Sequence, residues 1–124
     1  MESDQVMRTK MSWLVISSGV FLAGCQTAVR PLYYWGHYDA LTYQSYAKPD
    51  KATAEIQIQL LEEDIQKAAA TNLPVHPGLH AQLGLMYSQL GKSDHARQEF
   101  ELEKSLFPES ATLMDRLLNP AKTP

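Results

Sequence analysis

The sequence predicts a small all-α protein, and two observations support that prediction. Apolar residues recur at helical spacing in the middle of the chain, as Ile58, Leu61 and Ile65 illustrate. Residues that typically begin or end helices, such as Gly91 and Pro108, divide the second half into segments of helical length. The single cysteine allows no internal disulfide, so the helices must hold together by packing alone. We expect these helices to follow an N-terminal targeting segment and an extended arm.

Residues 1–24 have the layout of a signal peptide. Arg8 and Lys10 precede an apolar core over residues 11–21, which is too short for the roughly 20 residues of a membrane-spanning helix. The core runs into Leu22-Ala23-Gly24-Cys25, which resembles a bacterial lipobox, the site where signal peptidase II cuts before a lipidated cysteine. We therefore expect a lipid anchor at Cys25. The alternative is a buried N-terminal helix with an isolated cysteine.

Lipidation at Cys25 also determines the compartment. The several acyl chains of a bacterial lipoprotein anchor a protein stably, whereas one chain binds a membrane only marginally. Gln26 follows the cysteine, at a position where Asp tends to keep Gram-negative lipoproteins in the inner membrane. The resemblance therefore implies a lipid-anchored chain on the periplasmic face of the outer membrane.

The charge balance narrows the choice of partners. The chain has 11 Lys and Arg against 14 Asp and Glu, a formal net charge of −3. Such a mildly acidic chain offers no basic surface for nucleic acid and no polybasic patch for anionic lipid. We therefore expect protein partners, membrane attachment through the acyl chains and no nucleic acid. A small helical hairpin domain also offers little concavity for a pocket, so we expect no small-molecule substrate.

Residues 25–52 are predicted to be an extended aromatic arm, because Pro31 and Pro49 interrupt it and no helical apolar period is sustained. Aromatic side chains combine apolar area with a polar tip, which suits interfaces. Three roles stay open. The rings cover the helical domain or dock another protein, and Tyr33, Tyr34 and Trp35, which follow closest after Cys25, could instead contact the membrane surface. The candidate partner-binding residues here are Tyr33, Tyr34, Trp35, His37, Tyr38, Tyr43 and Tyr46.

The helical domain is predicted over residues 53–118. Its first helix begins after Thr53 as N-cap and ends before Asn72. The apolar face of this helix comprises Ile58, Leu61, Ile65 and Ala68. The acidic trio Glu62, Glu63 and Asp64 is expected on its solvated surface, since consecutive helix residues point in different directions.

The segment from Pro77 to Pro108 resembles one tetratricopeptide repeat. The residues at its typical positions are Leu83, Gly84, Tyr87, Gly91, Ala96, Phe100 and Pro108. Gly84 would let the second helix approach closely, and Asp94 would cap that helix. The chain departs from the repeat at Glu103, where a small apolar residue is usual, and at His80, where Trp is frequent. His80 and Tyr87 are the candidate partner-binding residues of its groove.

Helices on either side of this repeat should cover it, because one repeat is stable only when stacked. The helix over residues 53–71 is one candidate. A final helix, capped by Ser110, is the other, and residues 119–124 are predicted to be a disordered tail. The apolar residues of the final helix are Leu113, Met114, Leu117 and Leu118.

No catalytic constellation stands out, so we expect neither an enzyme nor a cofactor. His76 and His80 are four residues apart, as two metal ligands on one helix face would be. However, His76 precedes Pro77, which disfavours helical geometry at residue 76. We therefore expect a polar helix start and no metal site.

Five segments carry a resemblance that spans nearly the whole mature chain. They are Tyr34-Trp35-Gly36-His37-Tyr38, Pro77-Gly78-Leu79-His80-Ala81, Leu83-Gly84, Phe107-Pro108-Glu109-Ser110 and Met114-Asp115-Arg116-Leu117-Leu118. The chain is similar to a small family of Gram-negative outer-membrane lipoproteins known only as a domain of unknown function. Its members resemble accessory subunits found beside a curli-secretion-channel-like lipoprotein, which implies a shared envelope complex.

The lipid anchor, the helical domain and the family resemblance together predict that the protein is an interaction subunit of an outer-membrane complex. The complex would be a secretion or surface-appendage assembly with a curli-secretion-channel-like partner. The alternative is a lipoprotein that activates a periplasmic cell-wall enzyme.

Overall fold

The helices account for most of the described chain. A computed structural model describes residues 29–120, and its backbone contacts divide the chain between Arg30 and Pro31. The described part of the second unit contains α1 (Tyr38–Ala47), α2 (Ala54–Ala70), α3 (Leu79–Gln89), α4 (Ser93–Leu106) and α5 (Ala111–Leu118). Short 3-10 helices occupy Pro49–Lys51 and Pro108–Ser110. The all-α prediction is confirmed.

Three predicted features lie outside the described residues. They are the signal peptide over residues 1–24, the lipidated Cys25, and residues 121–124 of the tail. Within residues 29–120, none of the helices is long and apolar enough to cross a membrane.

Helix α2 forms where its apolar spacing predicts it. The hydroxyl of Thr53 accepts a hydrogen bond from the Ile56 amide at 3.5 Å, as the predicted N-cap requires. At the other end Asn72 adopts a left-handed conformation with φ +52, in which a helix cannot continue. Between these ends the helix buries Leu61 and Ala68.

Helices α3 and α4 form an antiparallel hairpin. Gly91 provides the turn with φ +70. Gly84 allows the close approach, because a Cβ there would lie 2.5 Å from Cε1 of Phe100. The side-chain caps that the sequence predicts at Asp94 and Ser110 do not form. Lys92 precedes α4 with no capping side chain, so Asp94 lies inside the first turn. Ser110 precedes α5 but donates its hydroxyl hydrogen to the Phe107 carbonyl, at 2.7 Å.

One apolar core joins all five helices. Its members come from α1 (Leu41), α2 (Ile58, Leu61), α3 (Leu79, Leu83, Met86, Tyr87), α4 (Ala96, Phe100) and α5 (Met114, Leu118). Burying a side chain of this size stabilises a fold by about 1.5–3 kcal/mol. The hairpin therefore shares its core with the elements before and after it.

The arm differs from the extended conformation that the sequence predicts. Residues Tyr38–Ala47 form α1, and the helix ends just before Pro49, which disfavours helical geometry in the residue ahead of it. Leu41 is the one buried side chain of this helix. A helix that buries a single residue has no apolar stripe, so apolar periodicity could not indicate it.

The unusual Glu103 of the repeat pattern has a structural role. Its side chain is buried, and its carboxylate accepts hydrogen bonds from the amides of Gly78, at 2.7 Å, and Ala81, at 3.4 Å. These amides lie at the start of α3, where the helix dipole favours negative charge. Gly78 itself has no side chain to cap the helix, so α4 supplies the capping group through Glu103.

Candidate functional site

The aromatic side chains of the arm meet His76 on one surface. The Trp35 ring stacks on His76, with 4.8 Å between centroids and 4° between planes. The Tyr38 ring lies 5.5 Å from Trp35 and 4.7 Å from His76. Tyr33 extends the group, since its ring lies 6.5 Å from Trp35 and 6.3 Å from Phe107. Tyr33, Trp35, Tyr38, His76 and Phe107 are termed the aromatic cluster below.

A buried carboxylate fixes the backbone beside Trp35. Asp64 is fully buried in α2 and accepts a hydrogen bond from the His37 amide, at 2.8 Å. A second carboxylate oxygen of Asp64 lies 2.8 Å from Nδ1 of His37, so that nitrogen carries the hydrogen and donates it. Two hydrogen bonds compensate the carboxylate for its lost hydration. Asp64 therefore holds both the main chain and the side chain of residue 37.

Gly36 allows the Asp64 carboxylate to lie close to the main chain beside Trp35. Its φ is +48, a left-handed conformation that favours glycine. A Cβ at this position would overlap the Asp64 carboxylate. Both the turn and the space therefore require glycine between Trp35 and His37.

The arm is attached to the helical domain on its other side as well. The Tyr34 amide donates to the Pro74 carbonyl at 2.8 Å, and Tyr34 forms an isolated parallel bridge with Val75. Val75 precedes His76, so this bridge places the arm beside the histidine that Trp35 covers. Hydrogen bonds donated by main-chain amides thus hold the segment that presents Trp35 on both of its flanks.

His76 is buried, and one of its nitrogens has no described partner. Its Nδ1 lies 2.9 Å from the Pro77 carbonyl oxygen, so Nδ1 is the donor of that hydrogen bond. Nε2 has no hydrogen-bond partner among residues 29–120. Helix α3 begins only at Leu79, so His76 and His80 do not share a helix face. In the same described range, no group of three His, Cys, Asp or Glu side chains could hold a metal ion.

The remaining arm residues divide between covering the domain and facing solvent. Tyr33, Tyr34, His37 and Tyr38 are half-buried. Trp35 remains 48% exposed although its ring stacks on His76. Tyr43 and Tyr46 are exposed on α1. Trp35 is therefore the predicted residue that is both firmly positioned and open to a partner.

His80 and Tyr87, the two residues predicted to contact a partner in the groove, are buried. Nδ1 of His80 lies 2.7 Å from a carboxylate oxygen of Glu99, linking α3 to α4. The Tyr87 hydroxyl donates to the Glu62 carboxylate, linking α3 to α2. That hydrogen bond, assisted by burial, raises the pKa of Tyr87 to about 12. Both side chains join helices within the domain.

Asp64 is fully buried, so the prediction that it lies on the solvated surface is wrong. The missed signal was its helical register, because Asp64 follows Leu61 by three residues and precedes Ala68 by four. It therefore lies on the apolar stripe, although it belongs to a charged triplet. A carboxylate on a buried stripe needs a donor, and the arm provides one at His37.

The comparisons with known proteins identify one family. The model of a family described as a domain of unknown function (DUF4810) matches residues 32–117, a range that contains the whole aromatic cluster. No curated protein matches the chain, and no solved structure does.

Proposed function

The chain belongs to the DUF4810 family of domains of unknown function, and we propose that it is a lipid-anchored periplasmic subunit of an outer-membrane assembly. Its partner would be a lipoprotein that resembles the curli secretion channel, within a secretion or surface-appendage assembly. The chain would act in this complex by binding and not by catalysis.

The position of Trp35 carries the proposal. Trp is among the residues most enriched at binding hot spots, because it offers large contact area with few rotatable bonds. Here Trp35 is half-exposed, while its backbone is held through Asp64, Pro74 and the turn at Gly36. A partner that covers an already ordered ring loses little conformational entropy on binding. The aromatic cluster is therefore suited to docking a protein.

The N-terminal sequence supports the anchor. Leu22-Ala23-Gly24-Cys25 follows a charged start and a short apolar core, and several acyl chains on Cys25 would keep the domain at the membrane. A tethered domain meets other membrane-bound proteins at high effective concentration. Moderate affinity at the aromatic cluster would then be enough for assembly.

Co-purification of the native lipoprotein from detergent-solubilised membranes tests the proposal. The Trp35→Ala variant should recover the channel-like lipoprotein at least about tenfold less than the natural chain, since hot-spot truncations cost about 2 kcal/mol or more. Leu113→Ala is the matched control, because Leu113 is an exposed apolar side chain on α5, outside the arm and the aromatic cluster. Equal recovery by both variants and the natural chain would contradict the docking role.

Two further measurements separate the parts of the proposal. A thermal unfolding curve of Trp35→Ala shows whether the domain remains folded, so that lost recovery can be assigned to the interface. Mass spectrometry of the native protein shows whether Cys25 carries acyl chains. An intact N-terminus with a free Cys25 thiol would contradict the anchor.

A further inference from the structure

Exposed apolar side chains lie at the start of the second unit. Leu32 is 81% exposed. Its chain neighbour Tyr33 contacts the ring of Phe107, whose own neighbour Leu106 is 48% exposed. Two exposed leucines thus flank two rings that are in contact. Leu32, Tyr33, Leu106 and Phe107 are termed the Leu32 face below.

The covalent chain limits how far this face can move from Cys25. Leu32 follows Cys25 by seven residues. A fully extended chain covers at most about 3.6 Å per residue, so Leu32 stays within roughly 25 Å of the anchored cysteine. That distance is shorter than the thickness of the bilayer's hydrocarbon core, which is about 30 Å. The Leu32 face is therefore confined to the neighbourhood of the membrane surface.

We propose that the Leu32 face rests on the phospholipid surface and forms a second membrane contact beside the acyl chains. This inference depends on the lipid anchor in the proposed function. Two leucines and two half-buried rings could not by themselves hold a free protein on a membrane. A tether makes the contact intramolecular, so a weak interaction is sufficient to populate it. Leucine and tyrosine side chains are typical of the zone where lipid headgroups meet acyl chains.

Charge indicates which lipid surface fits. The charges beside this face are of both signs, since exposed Glu109 follows Phe107 by two residues and exposed Arg30 precedes Leu32 by two. The chain as a whole is mildly acidic. A zwitterionic surface of phosphatidylethanolamine therefore suits this face better than a strongly anionic one.

The proposed contact would orient the docking surface. The Trp35 ring lies 6.5 Å from the Tyr33 ring of the Leu32 face. With that face on the bilayer, Trp35 would lie just above the headgroups, at the height where a membrane-embedded partner emerges into the periplasm. The membrane contact and the protein contact would then act side by side.

Site-directed spin labelling of the acylated protein tests the inference. Because the sulfur of Cys25 is blocked by lipid, Leu32→Cys has one free thiol for a nitroxide label. Tyr46→Cys is the control, as an exposed position on α1. In neutral vesicles of phosphatidylethanolamine and phosphatidylcholine, the label collides with oxygen and with a water-soluble nickel complex. The ratio of oxygen collisions to nickel collisions should be several-fold higher at residue 32 than at residue 46. Equal ratios at the two positions would overturn the inference.

A second measurement avoids the label. Trp35 is the one tryptophan beyond residue 24, so its fluorescence reports on the mature chain alone. Lipids brominated near the headgroup should quench Trp35 in the natural chain and about half as much in Leu32→Asp. Unchanged quenching in that variant would overturn the inference.

Flotation of the same samples distinguishes a failure of the Leu32 contact from a failure of the lipid anchor. If the acylated chain floats with the vesicles but residue 32 remains in water, the Leu32 contact is wrong and the anchor stands. If the chain does not float, the anchor and the membrane contact are both wrong.

Discussion

The Asp64 carboxylate occupies the space that a side chain on residue 36 would need. Gly36 has no side chain to compete for this space, adopts φ +48 and turns the chain so that the next amide, of His37, donates to Asp64. The contact joins α2 to the segment that carries Trp35. A change at either residue should therefore affect both the stability of the domain and the position of Trp35.

Gly36→Ala should destabilise the protein by about 2–4 kcal/mol, which combines backbone strain with overpacking against Asp64. The free energy of unfolding from urea titration measures this loss. Gly91→Ala is the matched control, since Gly91 also has positive φ but no atom within 4 Å of its Cβ position. Its cost should stay near 1 kcal/mol, the strain alone. Equal losses in both variants would contradict the contact with Asp64.

Asp64→Asn should cost about 1–3 kcal/mol, although it preserves the shape of the side chain. The neutral amide weakens both bonds to His37 and brings an N–H group into a site built for an acceptor. Hydrogen exchange of the His37 amide, followed by NMR, should become much faster. Glu63→Gln, on the exposed Glu63–Lys67 pair, is the control and should change stability by less than about 0.5 kcal/mol. An unchanged exchange rate at His37 would contradict this role of Asp64.

Glu103→Ala should lower the free energy of unfolding by about 1–3 kcal/mol, because the amides of Gly78 and Ala81 lose their acceptor at the start of α3. Glu103→Gln keeps one acceptor oxygen and should recover part of the loss. Glu101→Ala serves as control, since Glu101 is exposed on the same helix. A loss no larger than that of Glu101→Ala would contradict the capping role.

The helices that bury an apolar stripe could be predicted from the sequence, whereas α1 could not. Ile58, Leu61 and Ala68 repeat at helical spacing and are buried in the structure. Helix α1 buries only Leu41 and depends on bonds to distant residues, such as His37 to Asp64. Tertiary contacts of this kind are not encoded in local periodicity.

The candidate site was predictable in part for the same reason. Aromatic density in the arm indicated Trp35, Tyr33 and Tyr38. No local pattern indicates that His76 lies beneath Trp35, because forty-one positions separate the two residues and the bridge at Tyr34 and Val75 brings them together. His80 and Tyr87 are residue types that protein-contact surfaces also contain. Only their burial in the structure shows that they link helices within the domain instead.

The hydrogen bond from Tyr87 to Glu62 should make stability depend on pH in the alkaline range. It is the largest cause of the rise in the pKa of Tyr87 from its ordinary 10.0 to about 12, and burial is the second. A pKa raised by folding means that the stabilisation is complete below the unfolded value of 10.0 and is lost as pH rises through about 12. Two pKa units correspond to roughly 2–3 kcal/mol.

Tyr87→Phe isolates this effect, because lysines titrate equally in both proteins. The natural chain should be more stable than the variant near pH 9, and the difference in free energy of unfolding should shrink by roughly 2 kcal/mol towards pH 12. Urea titrations across this range measure it. Tyr46→Phe, at an exposed tyrosine, should show no such trend. A pH-independent difference would mean that the phenol of Tyr87 is not held by Glu62.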